Sequence, residues 1–345
     1  MRLLMLGTGP FAVPTLASLL ASPHTVLALV ARPTPPPVGR RKSPLNPMRD
    51  LAEQRGLPSL TPEQVNVPAV REQLAAFQAD LMIVCDYGQI LSSETLATTA
   101  LGGINLHASI LPQYRGAAPI NWALLDGRTE TGVSVIHMTP QLDGGPCLLQ
   151  RHTAIGPAED AVALEQRLAQ LGVDAVHEAL AMISAWDRQS PLGTVQNPAL
   201  ATKAPRLKKS DGQVNWTRPA EQICNQVRAL KPWPGTYTVW RNRQGSELRL
   251  IVDQVSVAPP ASWSAPAPPG EVVSVDQRHL WIAAGAGVLS LDRLQPAGKR
   301  LMCVEEFLRG HPVQVGDHFE CLSASAEVSH KAPAAGHTPA APGPP

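Results

Sequence analysis

At 345 residues the chain has room for two domains with cores of their own, and its 44% apolar share is that of an ordinary water-soluble protein. A net charge of +1 excludes a strongly polyanionic or polycationic chain, no run approaches the ~18 apolar residues of a membrane span, and Gly7 breaks the apolar start too early for a signal peptide. Five scattered cysteines without a C-x-x-C pair argue against a zinc site or a disulfide framework, so a cytoplasmic protein is expected.

In chain order, Arg2 to Leu6 reads as a buried strand, Gly7-Thr8-Gly9-Pro10 as a tight turn, and Val13 to Leu20 as a helix. The Gly-x-Gly-x-x-Ala spacing invites a dinucleotide reading, but the next strand, Val26 to Ala31, runs into Arg32-Pro33 rather than an acid placed for a ribose. Prolines then stiffen residues 33–47 and leave Arg40, Arg41 and Lys42 together, either as a solvated loop or as a contact for a polyanion. Helices are expected at Leu45 to Gly56 and Pro68 to Gln78. The unbroken apolar run Leu81 to Cys85 fits a central parallel strand, delivering Asp86 and Tyr87 at its carboxyl end, where open α/β sheets place ligands.

Residues 102–145 carry the chemistry. Ile104-Asn105-Leu106-His107 alternates, so Asn105 and His107 share one face of a strand; Asp143 follows in a Gly-rich turn after a second strand, Val133 to Met138. An amide that donates without changing charge, an imidazole that exchanges protons near neutrality and a carboxylate suit acyl-type transfer through a tetrahedral intermediate. Read alone, the same three residues also fit structural hydrogen bonding. Arg115 sits on a turn between prolines, as a surface charge or a contact for an anionic substrate end, and His137 reads as structural. Cys147 to His152 follows as a strand, and Ala161 to Trp186 as a helix whose leucines recur at three- and four-residue spacing.

The character changes near Pro198. A helix is expected from Pro219 to Leu230, then short strands at Glu247 to Val257, Gly270 to Val275, His279 to Ala283 and Val288 to Leu294, the pattern of a small barrel. Residues 1–202 carry a net charge of −3 and residues 203–323 a net +4, with Lys208 and Lys209 among the cations. Residues 323–345 lack apolar periodicity and are expected to be disordered.

Taken in order, Asn-Leu-His-Ala-Ser-Ile-Leu-Pro at 105–112, Tyr-Arg-Gly-Ala-Ala-Pro-Ile at 114–120, Glu-Thr-Gly-Val-Ser at 130–134 and Leu-Asp-Gly-Gly at 142–145 resemble the folate-dependent formyltransferase family. The likeness continues through Asn215-Trp216, Lys-Pro-Trp-Pro-Gly at 231–235 and Leu-Gln-Pro-Ala-Gly-Lys at 294–299. It implies an α/β, Rossmann-like catalytic domain with a mostly parallel sheet over residues 1–190, a linker at 191–205, and an OB-like barrel over 206–322. It makes Asn105, His107 and Asp143 the catalytic trio, and it places Ser109, Ile110, Leu111, Pro112, Cys85, Asp86 and Tyr87 against the folate. The donor implied is 10-formyltetrahydrofolate, with no metal and no covalent enzyme intermediate. The basic loop favours methionyl initiator tRNA as acceptor, gripped by Arg40, Arg41 and Lys42 and by Lys208 and Lys209 of the barrel half; a monomer is expected, with no membrane partner. Alternatives are an amino sugar nucleotide as acceptor, glycinamide ribonucleotide, which the second domain opposes, or a non-catalytic RNA-binding relative. The sequence departs from the family pattern at Gly9-Pro10, Asp86, Ile110 and Lys203.

Overall fold

Leucine- and valine-rich runs at Arg2–Leu6 (β1), Thr25–Val30 (β2), Ser59–Leu60 (β3), Leu81–Cys85 (β4) and Gly103–His107 (β5) form the parallel part of one sheet. Arg115–Gly116 (β6) lies off it. Glu130–His137 (β7) and Cys147–Ala154 (β8) complete it in antiparallel register, giving the order β3-β2-β1-β4-β5-β7-β8. The computed structural model describes residues 1–35, 46–259 and 267–320, so Arg40, Arg41, Lys42 and the tail 323–345 lie outside the described residues. Two compact units result, Met1–Gly212 with Cys224–Gly235, and Gln213–Ile223 with the chain from Thr236 onward.

In the first unit, alternate residues of each strand feed separate cores on the two faces of the sheet, Leu3, Met5, Ile83 and Leu106 on one side, Leu4, Leu6, Met82 and Val84 on the other. The first face is closed by the helix Ala161–Ser184, started by the Asp160 carboxylate, which accepts from the Ala163 N–H at 3.0 Å. Leu164, Leu168, Val176, Leu180 and Ile183 of this helix are buried, each contributing about 2 kcal/mol of apolar burial.

Residues 191–205, expected as a linker, are instead stitched into this unit. Thr194 exchanges two 2.8 Å backbone hydrogen bonds with Cys147, and Lys203–Ala204 (β9) pairs in parallel with β6. By packing, Lys208, Lys209 and the Lys231–Gly235 stretch group with the first unit. Polar residues without periodicity read as a linker because their partners, on β6 and β8, are distant in sequence.

The second unit is antiparallel: Thr236–Arg241 (β10), Glu247–Val257 (β11), Val272–Val275 (β12), Leu280–Ala283 (β13), Val288–Pro296 (β14), Met302–Cys303 (β15) and His318–Glu320 (β16) run in the order β12-β13-β14-β11-β10-β16, with β15 beside β14. Val272 N–H to Asp317 O (2.9 Å) and Phe319 N–H to Gly270 O (2.7 Å) join the first and last strands, closing an OB-like barrel. Trp216 and Trp240 fill it, their indole N–H groups donating to Thr238 Oγ1 (3.0 Å) and Asp317 Oδ2 (3.1 Å). No described helix is long and apolar enough to cross a membrane.

Candidate active site

β5 delivers Asn105 and His107 to the wall of a cavity of about 600 Å³ at the carboxyl ends of the parallel strands. His107 is 6% exposed, and its Nε2 lies 2.9 Å from the Tyr114 carbonyl oxygen. A carbonyl only accepts, so Nε2 carries the hydrogen and Nδ1 is the basic nitrogen of the neutral ring. Nδ1 faces Asp143 Oδ2 at 3.7 Å, beyond hydrogen-bond length, so it stays available to a ligand. Tyr114 is itself fixed: its N–H donates to Thr202 Oγ1 (2.8 Å), its hydroxyl donates to Asp126 Oδ2 (2.8 Å), and Arg128 Nε donates to that hydroxyl (2.9 Å).

Asp143 meets the pair from the turn after β7. Its Oδ1 accepts from Asn105 Nδ2 at 3.2 Å and its Oδ2 from the Gly116 N–H at 2.8 Å. Among the described residues only one of the two Asn105 amide hydrogens is used in this way, which leaves the other to serve a developing oxyanion. Asp143 has φ 48°, a left-handed conformation that costs a non-glycine residue about 1 kcal/mol. The turn closes at Gly145, where a Cβ would stand 1.9 Å from the His137 carbonyl oxygen, so no side chain fits. His137 itself is structural, with Nε2 3.0 Å from the Leu101 carbonyl oxygen.

A second part of the wall carries two carboxylates. Asp86, at the end of β4, and Glu165, from the Ala161–Ser184 helix, both line the cavity. Asp86 opens onto the cavity by surface area while protein encloses it on the other sides; this enclosure, reinforced by the Glu165 charge, raises its pKa to about 7. Glu165 is raised by the same desolvation, moderated by the Phe11 backbone N–H. A Cβ on Gly9 would lie 1.7 Å from Asp86 Oδ2, so the two departures at Gly9 and Asp86 are one feature: the missing side chain makes room for the added carboxylate. Tyr87 also lines the cavity, its buried hydroxyl without a partner among the described residues and its pKa pushed up to about 12 by burial.

The other expected folate contacts are not brought there. Cys85 is fully buried in the sheet core, its thiol pKa raised by desolvation. Ser109 is fully buried, donating its hydroxyl to Gln113 O (2.6 Å) and accepting at its carbonyl from Ser134 Oγ (2.7 Å). The Leu111 N–H donates to the same Ser134 hydroxyl (3.0 Å), and Leu111 and Pro112 face a separate cavity of about 330 Å³. Neither they nor Ile110 line the large one. Hydrogen bonds to Ser134 of β7 and Gln150 of β8 hold this segment in place. Lys208 and Lys209 are exposed in the first unit.

Several residues that sequence reasoning passed over do line or support the cavity: Phe11, Glu165, Trp233 and, behind Asp143, Gln196. Glu165 lies at the edge of an apolar helical stripe, a faint signal; Gln196 had none in a single sequence.

A Rossmann-like α/β unit that gathers an amide, an imidazole and a carboxylate in one cavity, with an antiparallel barrel as the second unit, defines a two-part group-transfer enzyme. Residues 1–180 match the formyl transferase family and residues 206–312 the formyl transferase C-terminal domain, so the chain belongs to the formyltransferase family. Among its relatives, methionyl-tRNA formyltransferase of Rhodopirellula baltica is 42% identical over 324 residues, covering 92% of this chain and 96% of the relative. The protein of the same name from Geobacter metallireducens is 38% identical over 320 residues, covering 92% and 97%. Among solved structures, an N-formyltransferase from Helicobacter canadensis, in complex with folinic acid and dTDP-3-aminofucose, shares the fold at TM-score 0.61 and 14% identity, covering 84% of this chain and 98% of that one. HypX from Aquifex aeolicus, in complex with tetrahydrofolic acid, does so at TM-score 0.56 and 15% identity, covering 89% and 47%.

Proposed function

We propose that this enzyme moves the formyl group of 10-formyltetrahydrofolate onto the α-amino group of methionyl initiator tRNA, giving N-formylmethionyl-tRNA for the start of translation. The observation that carries the reading is the 42% identity, across both units, to a protein named methionyl-tRNA formyltransferase. The cavity fits a folate-type donor: Phe11, Ile90, Ile136 and Met138 offer apolar walls for a flat ring, and Asp86 and Glu165 offer acceptors for ring N–H groups.

The folate supplies a formyl group on a nitrogen that can leave. Asn105 donates its free amide hydrogen to the formyl oxygen as negative charge grows there during attack by the amine. His107 takes the amine's proton at Nδ1, since Nε2–H is committed to Tyr114 O, and returns a proton to the departing folate nitrogen. Asp143, 3.7 Å from Nδ1, stabilises the charged ring between these two steps. The folate contacts assigned to this chain are Asp86 and Tyr87. Lys208 and Lys209, with Arg40, Arg41 and Lys42, are proposed to neutralise tRNA phosphates and so position the acceptor end.

The test is incubation with 10-formyltetrahydrofolate and methionyl-tRNA, initiator and elongator separately, reading formyl-methionine released from the RNA. Product from initiator tRNA is expected, with far less from elongator. No product from either, with active folate, would refute the reading, and equal product from both would refute the initiator preference.

A further inference from the structure

Gln196 lies just before the short Pro198–Leu200 turn, buried at 7% exposure. Its Nε2 donates to the carbonyl oxygens of Asp143 (2.8 Å) and Gly145 (2.7 Å), and its Oε1 accepts from Arg115 Nε (3.1 Å) and Nη2 (2.6 Å). Two donated and two accepted hydrogen bonds saturate a carboxamide. Its orientation is fixed as well, because the guanidinium only donates and the two carbonyls only accept.

These contacts close a ring. Gln196 holds the backbone of Asp143; the Asp143 carboxylate accepts from the Gly116 N–H; Gly116 follows Arg115 in β6; and Arg115 returns to Gln196. Asp143 sits in this ring with a left-handed backbone that it does not adopt freely. Arg115, read from sequence as a surface charge or a substrate contact, is thereby committed to the protein.

We propose that Gln196 is the positioning residue for Asp143, fixing the turn through the carbonyls of residues 143 and 145 so that the carboxylate meets Asn105 and His107. The inference rests on the catalytic reading of Asp143. The informative variant is Gln196→Glu. It keeps the side-chain size and offers Arg115 an ionic partner, but it replaces the donor to the two carbonyls with an acceptor. A role limited to anchoring Arg115 predicts near-normal turnover in Gln196→Glu; a positioning role predicts loss.

The experiment compares wild type, Gln196→Glu, Gln196→Ala and Asp143→Asn by steady-state formylation, with tetrahydrofolate binding and melting temperature measured on the same samples. The expected result is a fall in kcat on the order of 10²-fold in both Gln196 variants, with KM for both substrates changed by no more than about twofold and tetrahydrofolate binding retained. Gln196→Glu turning over at the wild-type rate beside an inactive Asp143→Asn would overturn the role of Gln196 alone. An active Asp143→Asn would overturn the reading of Asp143 and the proposal with it. Loss of fold in Gln196→Glu would also contradict the proposal, which leaves the fold intact.

Discussion

The two walls of the cavity are built on opposite terms. On one, protein groups hold the chemistry in place: His107 Nε2 is tied to Tyr114 O, and Asp143 to Asn105 and the Gly116 N–H. On the other, the Asp86 carboxylate faces the cavity with no side-chain hydrogen bond among the described residues and with Glu165 as a like-charged neighbour. The first wall is preorganised, so it need not rearrange as charge develops. The second leaves acceptor capacity for a ligand to fill, and enclosure by the protein together with the Glu165 charge raises the Asp86 pKa to about 7.

The contrast breaks most visibly at the first wall. His107→Ala removes the group that moves the proton and should lower kcat by roughly 10³-fold while leaving tetrahydrofolate affinity close to wild type. Steady-state kinetics beside a binding titration checks both halves; a matching loss of affinity would mean that the two walls do not act separately.

Asp86→Asn tests the second wall and should mirror the first result, weakening folate binding by roughly tenfold at pH 8 with kcat little changed. Because the Asp86 pKa is raised to about 7, the wild-type carboxylate becomes a pure acceptor only as pH rises through that value. Wild-type tetrahydrofolate binding should therefore strengthen from pH 6 to pH 8, and the variant should stay flat. Stability runs the other way. A raised acid pKa means that the folded state keeps a proton the unfolded chain releases, so the contribution of Asp86 is full below pH ~4 and is lost as pH rises through about 7. Melting curves should then show Asp86→Asn gaining on wild type between pH ~4 and about 7 and holding that gain above it.

A smaller effect is expected from Gly9→Ala. The new methyl group would occupy the position of Asp86 Oδ2 and displace the carboxylate, so the variant should reproduce part of the Asp86→Asn phenotype, a loss of folate affinity of a few-fold. Combined with Asp86→Asn it should add little. Additive losses would mean that Gly9 acts on its own account.

The two walls also differ in how far they could be read from sequence. Asn105 and His107 were legible as neighbours because strand alternation puts residues two apart on one face, whereas Asp143 was joined to them by the family resemblance. Leu81–Cys85 announced a central strand and hence the ligand-facing position of Asp86. The pairing of Asp86 with Gly9 and Glu165 was hidden, since it joins the loop after β1, the end of β4 and a helical residue 79 positions beyond Asp86. The hydrogen bonds that tie residues 109–112 to β7 were hidden for a related reason, since Ser134 stands 23 and 25 residues from its partners Leu111 and Ser109. Gln196 was invisible, because its partners, Arg115, Asp143 and Gly145, stand 51 or more residues away. The strands Thr236–Arg241 and His318–Glu320, which complete the barrel, were not anticipated either, lying beside Pro/Gly loops that obscure alternation.

The most direct measurement of the central claim is a single-turnover formyl transfer with Asp143→Asn, its folate and tRNA sites both saturated. Asparagine keeps the shape and, with its oxygen toward Asn105, that contact, but it removes the charge opposite His107 Nδ1 and replaces the acceptor of the Gly116 N–H with an NH2 group. The transfer rate should fall on the order of 10³-fold while both substrates remain bound. Transfer within tenfold of wild type would contradict the assignment of the chemistry to Asn105, His107 and Asp143.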